Sequence, residues 1–100
     1  YVSQRERLPV LVVVFDNRGW KAVKRETQLL YPDGWAARTQ NFPFTEIDPS
    51  PAYHRIAEAC GGYGERVERP QDVMRALERG LSVVRKEKRQ ALVHVVCEHI

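Results

Sequence analysis

An unbroken apolar run, Val10-Leu11-Val12-Val13-Val14-Phe15, stands near the start of the chain. It is mostly β-branched and does not alternate, which suits a strand covered on both faces, as in parallel sheets flanked by helices. Ahead of it, Arg5-Glu6-Arg7 reads as the tail of a helix, and Pro9 stops that helix from continuing. The turn Asp16-Asn17-Arg18-Gly19 follows, then a predicted helix from about Trp20 to Leu30. Trp20, Val23, Thr27 and Leu30 fall on one face of it, and Lys21, Lys24 and Arg25 share another. From Tyr31 to Ser50 no periodicity holds, and Pro32, Asp33-Gly34, Pro43 and Pro49 interrupt the chain. A connection of that length is uncommon unless it closes over a site or joins an interface, so it is a candidate lid.

Ser50-Pro51 reads as an N-cap with proline at the first helical position. The short helix it opens runs to about Cys60, with Ile56, Ala59 and Cys60 expected on the buried side and Gly61-Gly62 ending it. Tyr63 to Val67 is a second strand, weakened by Gly64. Pro70 opens the most regular helix, in which Val73, Ala76, Leu77, Gly80, Leu81 and Val84 recur at three- and four-residue spacing. Asp72 suits its positive end, and the run Arg85-Lys86-Glu87-Lys88-Arg89 its negative end. Ala91 to Val96 is a third strand, apolar except for His94. This alternation predicts an α/β fold, a parallel sheet flanked by helices and joined by right-handed crossovers.

The chain has 100 residues, enough for one domain and too few for two. Hydrophobic residues make up 43% and charged residues 29%, an ordinary globular balance that argues against disorder. The net charge of +3 is spread over interspersed signs, so no nucleic-acid partner is expected. No apolar run approaches the roughly 20 residues of a membrane span, and no membrane partner is expected. Cys60 and Cys97 stand far apart beside apolar stretches and read as buried free thiols, which fits a reducing cytoplasm. The chain opens Tyr1-Val2-Ser3 without an initiator methionine, which reads as a single partial domain, residues 1–100, cut from something longer.

In open parallel sheets, ligands bind beyond the carboxyl ends of the strands. Asp16-Asn17-Arg18-Gly19 holds that position, just before a helix amino terminus suited to phosphate. Asn17 offers a neutral side-chain oxygen, and Gly19 offers a carbonyl and close backbone approach. Oxygens of this kind suit Mg²⁺. Alone, Asn-x-Gly is also common turn chemistry.

Residues 8–20, Leu-Pro-Val-Leu-Val-Val-Val-Phe-Asp-Asn-Arg-Gly-Trp, resemble the second half of the thiamine-diphosphate motif. In that family a Gly-Asp-Gly lies well upstream of a paired Asn-Asn that ends a buried strand. The likeness continues through Tyr31-Pro32, Ile56-Ala57-Glu58-Ala59, Gly62-Tyr63-Gly64-Glu65 and the Pro70 helix to the last strand. It covers nearly the whole chain and is most similar to the acetolactate synthase and benzoylformate decarboxylase branch. Asp16 departs from the first asparagine of the pair, while Asn17 keeps the second. The resemblance implies a partial thiamine-diphosphate-binding fold, with Asp16, Asn17, Gly19 and Trp20 at the cofactor. It also implies Mg²⁺ held by the Asn17 side chain and the Gly19 carbonyl. The Gly-Asp-Gly aspartate would lie upstream of Tyr1. The glutamate that activates the cofactor would come from another domain, usually of a neighbouring subunit. The implied enzyme is a lyase or transferase that decarboxylates or ligates a small 2-oxo acid. Its partners are the remainder of the same enzyme and a further subunit of a homo-oligomer, and the chain alone is not expected to catalyse.

The other candidates read as structural. His94, among apolar strand residues, reads as a satisfied core or sheet-end histidine; His54 and His99 show no metal spacing with it. Lys21, Lys24 and Arg25 read as a solvated helix face. Trp20 is expected to pack, and Trp35 is left open. Neither cysteine has a visible base partner for nucleophilic catalysis. Two other readings remain: a non-catalytic binding domain that keeps the fold, and a basic nucleic-acid module, disfavoured because basic and aromatic residues are not interleaved.

Overall fold

In the computed structural model, which describes residues 1–98, the three predicted strands form as β1 (Leu11–Asp16), β2 (Tyr63–Val67) and β3 (Ala91–Val96). The helices are α1 (Val2–Arg5), α2 (Lys21–Leu30), α3 (Trp35–Thr39), α4 (Tyr53–Ala59) and α5 (Val73–Ser82). A 3-10 turn (Pro70–Asp72) leads into α5, and a π-helical turn (Val83–Glu87) ends it. No helix among the described residues is long and apolar enough to cross a membrane. The chain folds as two compact units, one of residues 1–16 and 51–97, the other centred on residues 17–50.

The first unit is the predicted α/β layer: a three-stranded sheet in the order β1-β3-β2 with both pairings parallel. Val93 and Val95 of the central strand face Val67 and Ala76, and Leu11, Val13, Val73 and Leu77 pack around them. Each such valine, fully covered, contributes about 1.5–3 kcal/mol. Helix α5 lies close on this face because Gly80 has no side chain; a Cβ there would meet Leu11 Cδ1 at 2.8 Å. The opposite face carries α4, and a Cβ on Gly64 of β2 would lie 2.1 Å from the His54 carbonyl oxygen. Gly64, which weakens the strand by propensity, is what lets helix and strand backbones meet.

The expected end of α4 forms as read. Gly61 takes φ 82°, its N–H bonds the Glu58 carbonyl, and the Gly62 N–H bonds the Ala57 carbonyl. This pair of bonds satisfies two carbonyls that the helix leaves over.

Four expectations about β1, α4, its cap and the cysteines are corrected. The apolar run of β1 is not covered on both faces: β1 is an edge strand and Phe15 is 71% exposed. The doubly covered strand is β3, because it takes the middle place. On α4 it is Ala57 that is buried, whereas Ile56 and Ala59 are exposed and Cys60 is half-buried. Ser50 does not cap α4; the N-cap is Ala52, and the Ser50 hydroxyl donates to the Ile47 carbonyl at 3.0 Å. Cys60 and Cys97 are free, as expected, but only half-buried.

The second unit holds α2 and α3. Helix α2 forms where predicted, yet none of its residues is buried, and the face expected to pack leaves Val23 and Leu30 exposed and Trp20, at its N-cap, 59% exposed. Residues 31–50 are not without structure: Trp35–Thr39 is helical, with the Thr39 hydroxyl on the Trp35 carbonyl at 2.7 Å. Phe42 and Thr45 are the buried members, and the Lys24 ammonium stands 5.1 Å from the Phe42 ring centroid.

Candidate functional site

The turn that follows β1 is built within the second unit. Asn17 Oδ1 accepts the Gly19 N–H at 3.3 Å, closing a side-chain turn over Arg18. Arg18 adopts φ 57°, a left-handed conformation that costs an ordinary side chain on the order of 1 kcal/mol. Its carbonyl is held by the Ile47 N–H at 2.9 Å, and the Trp20 N–H bonds the Thr45 carbonyl at 2.7 Å. Gly19 thus forms an antiparallel bridge with Glu46. A Cβ on Gly19 would lie 2.8 Å from the Thr45 carbonyl oxygen, so only glycine permits this approach.

Beside the turn, Asn17, Lys21, Lys24, Arg25 and Gln28 line a cavity of about 540 Å³. Four of them recur at helical spacing on α2, so one face of that helix borders the space. Lys21 also faces Glu46 at 3.8 Å. The basic residues read as a plain solvated face therefore border a concavity together with Asn17. Trp20, expected to pack, is largely exposed, as is Trp35.

A neutral amide oxygen and three cationic side chains around one space, next to a glycine in the same turn, suit a divalent cation with a diphosphate. Among the described residues there is no group of three or more His, Cys, Asp or Glu that could hold a metal ion. Any metal at this turn would accordingly rest on amide and carbonyl oxygens and on oxygens brought by its ligand.

Asp16, the last residue of β1, belongs to the first unit and is 7% exposed. Its Oδ2 lies 2.8 Å from His94 Nε2, and His94, on β3, is 1% exposed. The expectation of a satisfied core histidine holds. Beyond it, His94 Nδ1 lies 3.4 Å from His54 Nδ1, and the Tyr53 ring meets His94 edge-on with centroids 5.2 Å apart. Burial holds the His54 pKa below the ordinary imidazole value; Glu58 opposes this, and His94, Arg55 and Arg66 add to it. Sequence reading saw both histidines without seeing the pair, because they are 40 residues apart and meet only through the sheet. His99 lies outside the described residues.

On the other edge of the sheet, the Tyr63 hydroxyl donates to Glu65 at 2.6 Å, and Arg79 of α5 donates twice to the same carboxylate. The Arg79 hydrogen bonds hold the Glu65 carboxyl below its usual range, and burial pushes the Tyr63 hydroxyl up. This cluster joins β2 to α5.

The family model described as thiamine pyrophosphate enzyme, C-terminal TPP binding domain, matches residues 2–95. A probable sulfoacetaldehyde acetyltransferase of Rhizobium meliloti (strain 1021) is 35% identical over 77% of the chain, and a 2-hydroxyacyl-CoA lyase of Oryza sativa subsp. japonica is 30% identical over 94%. A sulfoacetaldehyde acetyltransferase of Alcaligenes xylosoxydans xylosoxydans is 30% identical over 93%. The matches take up 12%, 15% and 14% of those three proteins, so the chain spans a small part of the relatives' length. No solved structure matches the chain.

Proposed function

The chain belongs to the thiamine pyrophosphate enzymes, as their C-terminal TPP-binding domain, and we propose that the turn after β1 holds the cofactor's diphosphate through Mg²⁺. In this reading residues 1–100 are the C-terminal part of one thiamine-diphosphate-binding domain. The Asn17 side chain and the Gly19 carbonyl are the metal's protein ligands, with Asp16 and Trp20 flanking them in sequence at the cofactor. The observation that carries the reading is the Asn17–Gly19 turn, pinned against residues 45–47 and bordering the cavity lined by Lys21, Lys24 and Arg25. Those three cations offset the negative charge of a diphosphate, and Asn17 and Gly19 supply the uncharged oxygens that Mg²⁺ accepts.

When bound, thiamine diphosphate supplies a carbanion-stabilising centre that opens 2-oxo acids to decarboxylation or carboligation. The part of this chain is to bind and orient: Arg18, locked by Ile47, sets the direction of the turn, and Gly19 lets that turn lie against the Thr45 carbonyl that braces it. The substrate is a small 2-oxo acid. The partners are the remainder of the same enzyme and a neighbouring subunit in a cytoplasmic homo-oligomer.

Calorimetry with thiamine diphosphate and Mg²⁺ on the full-length protein, repeated on Asn17→Ala, tests the assignment. Binding that depends on Mg²⁺ and is lost in the variant is expected. Equal binding by both proteins overturns the role given to Asn17.

A further inference from the structure

The hollows of the two units hold their positive charge differently. In the first unit, Arg66, Arg69 and Arg79 border a hollow of about 300 Å³, and each is paired with a carboxylate: Glu68, Asp72 and Glu65 respectively. Charge there is balanced from within. In the second unit, Lys21, Lys24 and Arg25 line the cavity of about 540 Å³, and no carboxylate lines it among the described residues. Lys21 faces Glu46, but Lys24 and Arg25 form no ion pair among the described residues. The Lys24 ammonium instead stands over the buried Phe42 ring, which places that charge without neutralising it. Helix α2 also opens on Lys21 with no acidic residue in its first turn, so positive charge is set against the positive end of its dipole. Folding alone disfavours that arrangement, and an anion in the cavity offsets it.

The proposed cofactor does not use all of this charge. A diphosphate ester carries about three negative charges near neutrality, and Mg²⁺ cancels two of them, leaving about one. With Lys21 set against Glu46, Lys24 and Arg25 present two positive charges to that remainder, a surplus of about one. The surplus lies away from the metal. At 1.5 Å per residue, Gln28 is about 10 Å along α2 from Lys21, so Arg25 and Gln28 border the end of the cavity farther from Asn17.

We propose that Lys24, Arg25 and Gln28 form a second anion subsite, which holds a phosphoryl group of a ligand other than the cofactor. The Arg25 guanidinium offers paired N–H donors, the Lys24 ammonium a placed charge and the Gln28 amide a further donor. Donors from three side chains match the three terminal oxygens of a phosphoryl group better than the two oxygens of a carboxylate. The subsite rests on the cofactor reading for what occupies the other end of the cavity; the hollow and its unpaired cations stand without it.

Calorimetry of inorganic phosphate into the full-length protein tests this, with and without saturating thiamine diphosphate and Mg²⁺. Expected is saturable binding that persists in the loaded protein, weakened about tenfold or more in Arg25→Gln and less in Arg25→Lys. Lys86→Gln, which removes an exposed cation of the first unit, is expected to leave it unchanged. Phosphate that binds only the unloaded protein and is displaced by thiamine diphosphate overturns the subsite, because the cavity is then the cofactor's alone. Equal affinity in Arg25→Gln, equal weakening in Lys86→Gln, or acetate binding as tightly as phosphate overturns it too. If thiamine diphosphate itself does not bind, the cofactor reading falls, and the loss in Arg25→Gln still decides the subsite.

Discussion

In the first unit, Ala76, Ala91, Val93 and His94 are almost wholly removed from solvent, and glycines at positions 64 and 80 let helices press onto the sheet. In the second, the ten-residue helix α2 has no buried residue, and Phe42 and Thr45 are the side chains its fold covers. Both units carry apolar residues at regular spacing. The difference lies in what each apolar face meets. A strand in the middle of a sheet is covered on two sides by its own neighbours, whereas a helix face stays open unless something is laid against it. The packed layer accordingly holds the buried Asp16–His94 pair, and the open unit holds the turn and the basic cavity proposed for the cofactor.

The comparison is broken most severely by Gly64→Ala. The added Cβ would meet helix backbone, which cannot swing aside as a side chain can, so a loss of about 3 kcal/mol or more is expected in denaturant unfolding. Phe42→Ala attacks the other unit. With Phe42 at 8% exposure the expected cost is about 3 kcal/mol. Amide exchange should speed in residues 17–50 before it speeds in β3, and uniform acceleration would mean that the two units unfold as one.

Acid sharpens the contrast more gently. Because the His54 pKa is lowered on folding, the unfolded chain binds more protons between that lowered value and the ordinary value of about 6.5. Stability of the first unit is therefore expected to fall as the pH drops through this window and to level off below it. His54→Gln should flatten that part of the profile. The smallest effect is expected for Phe44→Ser in the second unit: Phe44 is 97% exposed, and its loss should change stability by no more than about 0.5 kcal/mol. A larger loss would show that Phe44 is covered in solution.

Much of the fold was legible locally. The stop at Gly61-Gly62 could be read because it depends on residues adjacent in the chain, and the strand at 91–96 because it is apolar except for His94. The misreadings share a cause. Six consecutive apolar residues at β1 say that a strand forms there, but not that it takes the edge of the sheet. The rhythm at Trp20, Val23 and Leu30 says that α2 has an apolar face, but not that its face is left uncovered. Helix α3 went unread because five residues between prolines carry too little periodicity.

At the candidate site the division is the same. Asn17 and Gly19 could be picked out from their place after a buried-type strand and from the motif they resemble. The sequence by itself determined the element types, the turn chemistry and the family likeness, since each rests on neighbours within a few positions. Only the tertiary structure decided that β3 is central, that residues 45–47 brace the turn, and that His54 meets His94. Those contacts join residues far apart in the chain, and only strand order and helix placement bring them together.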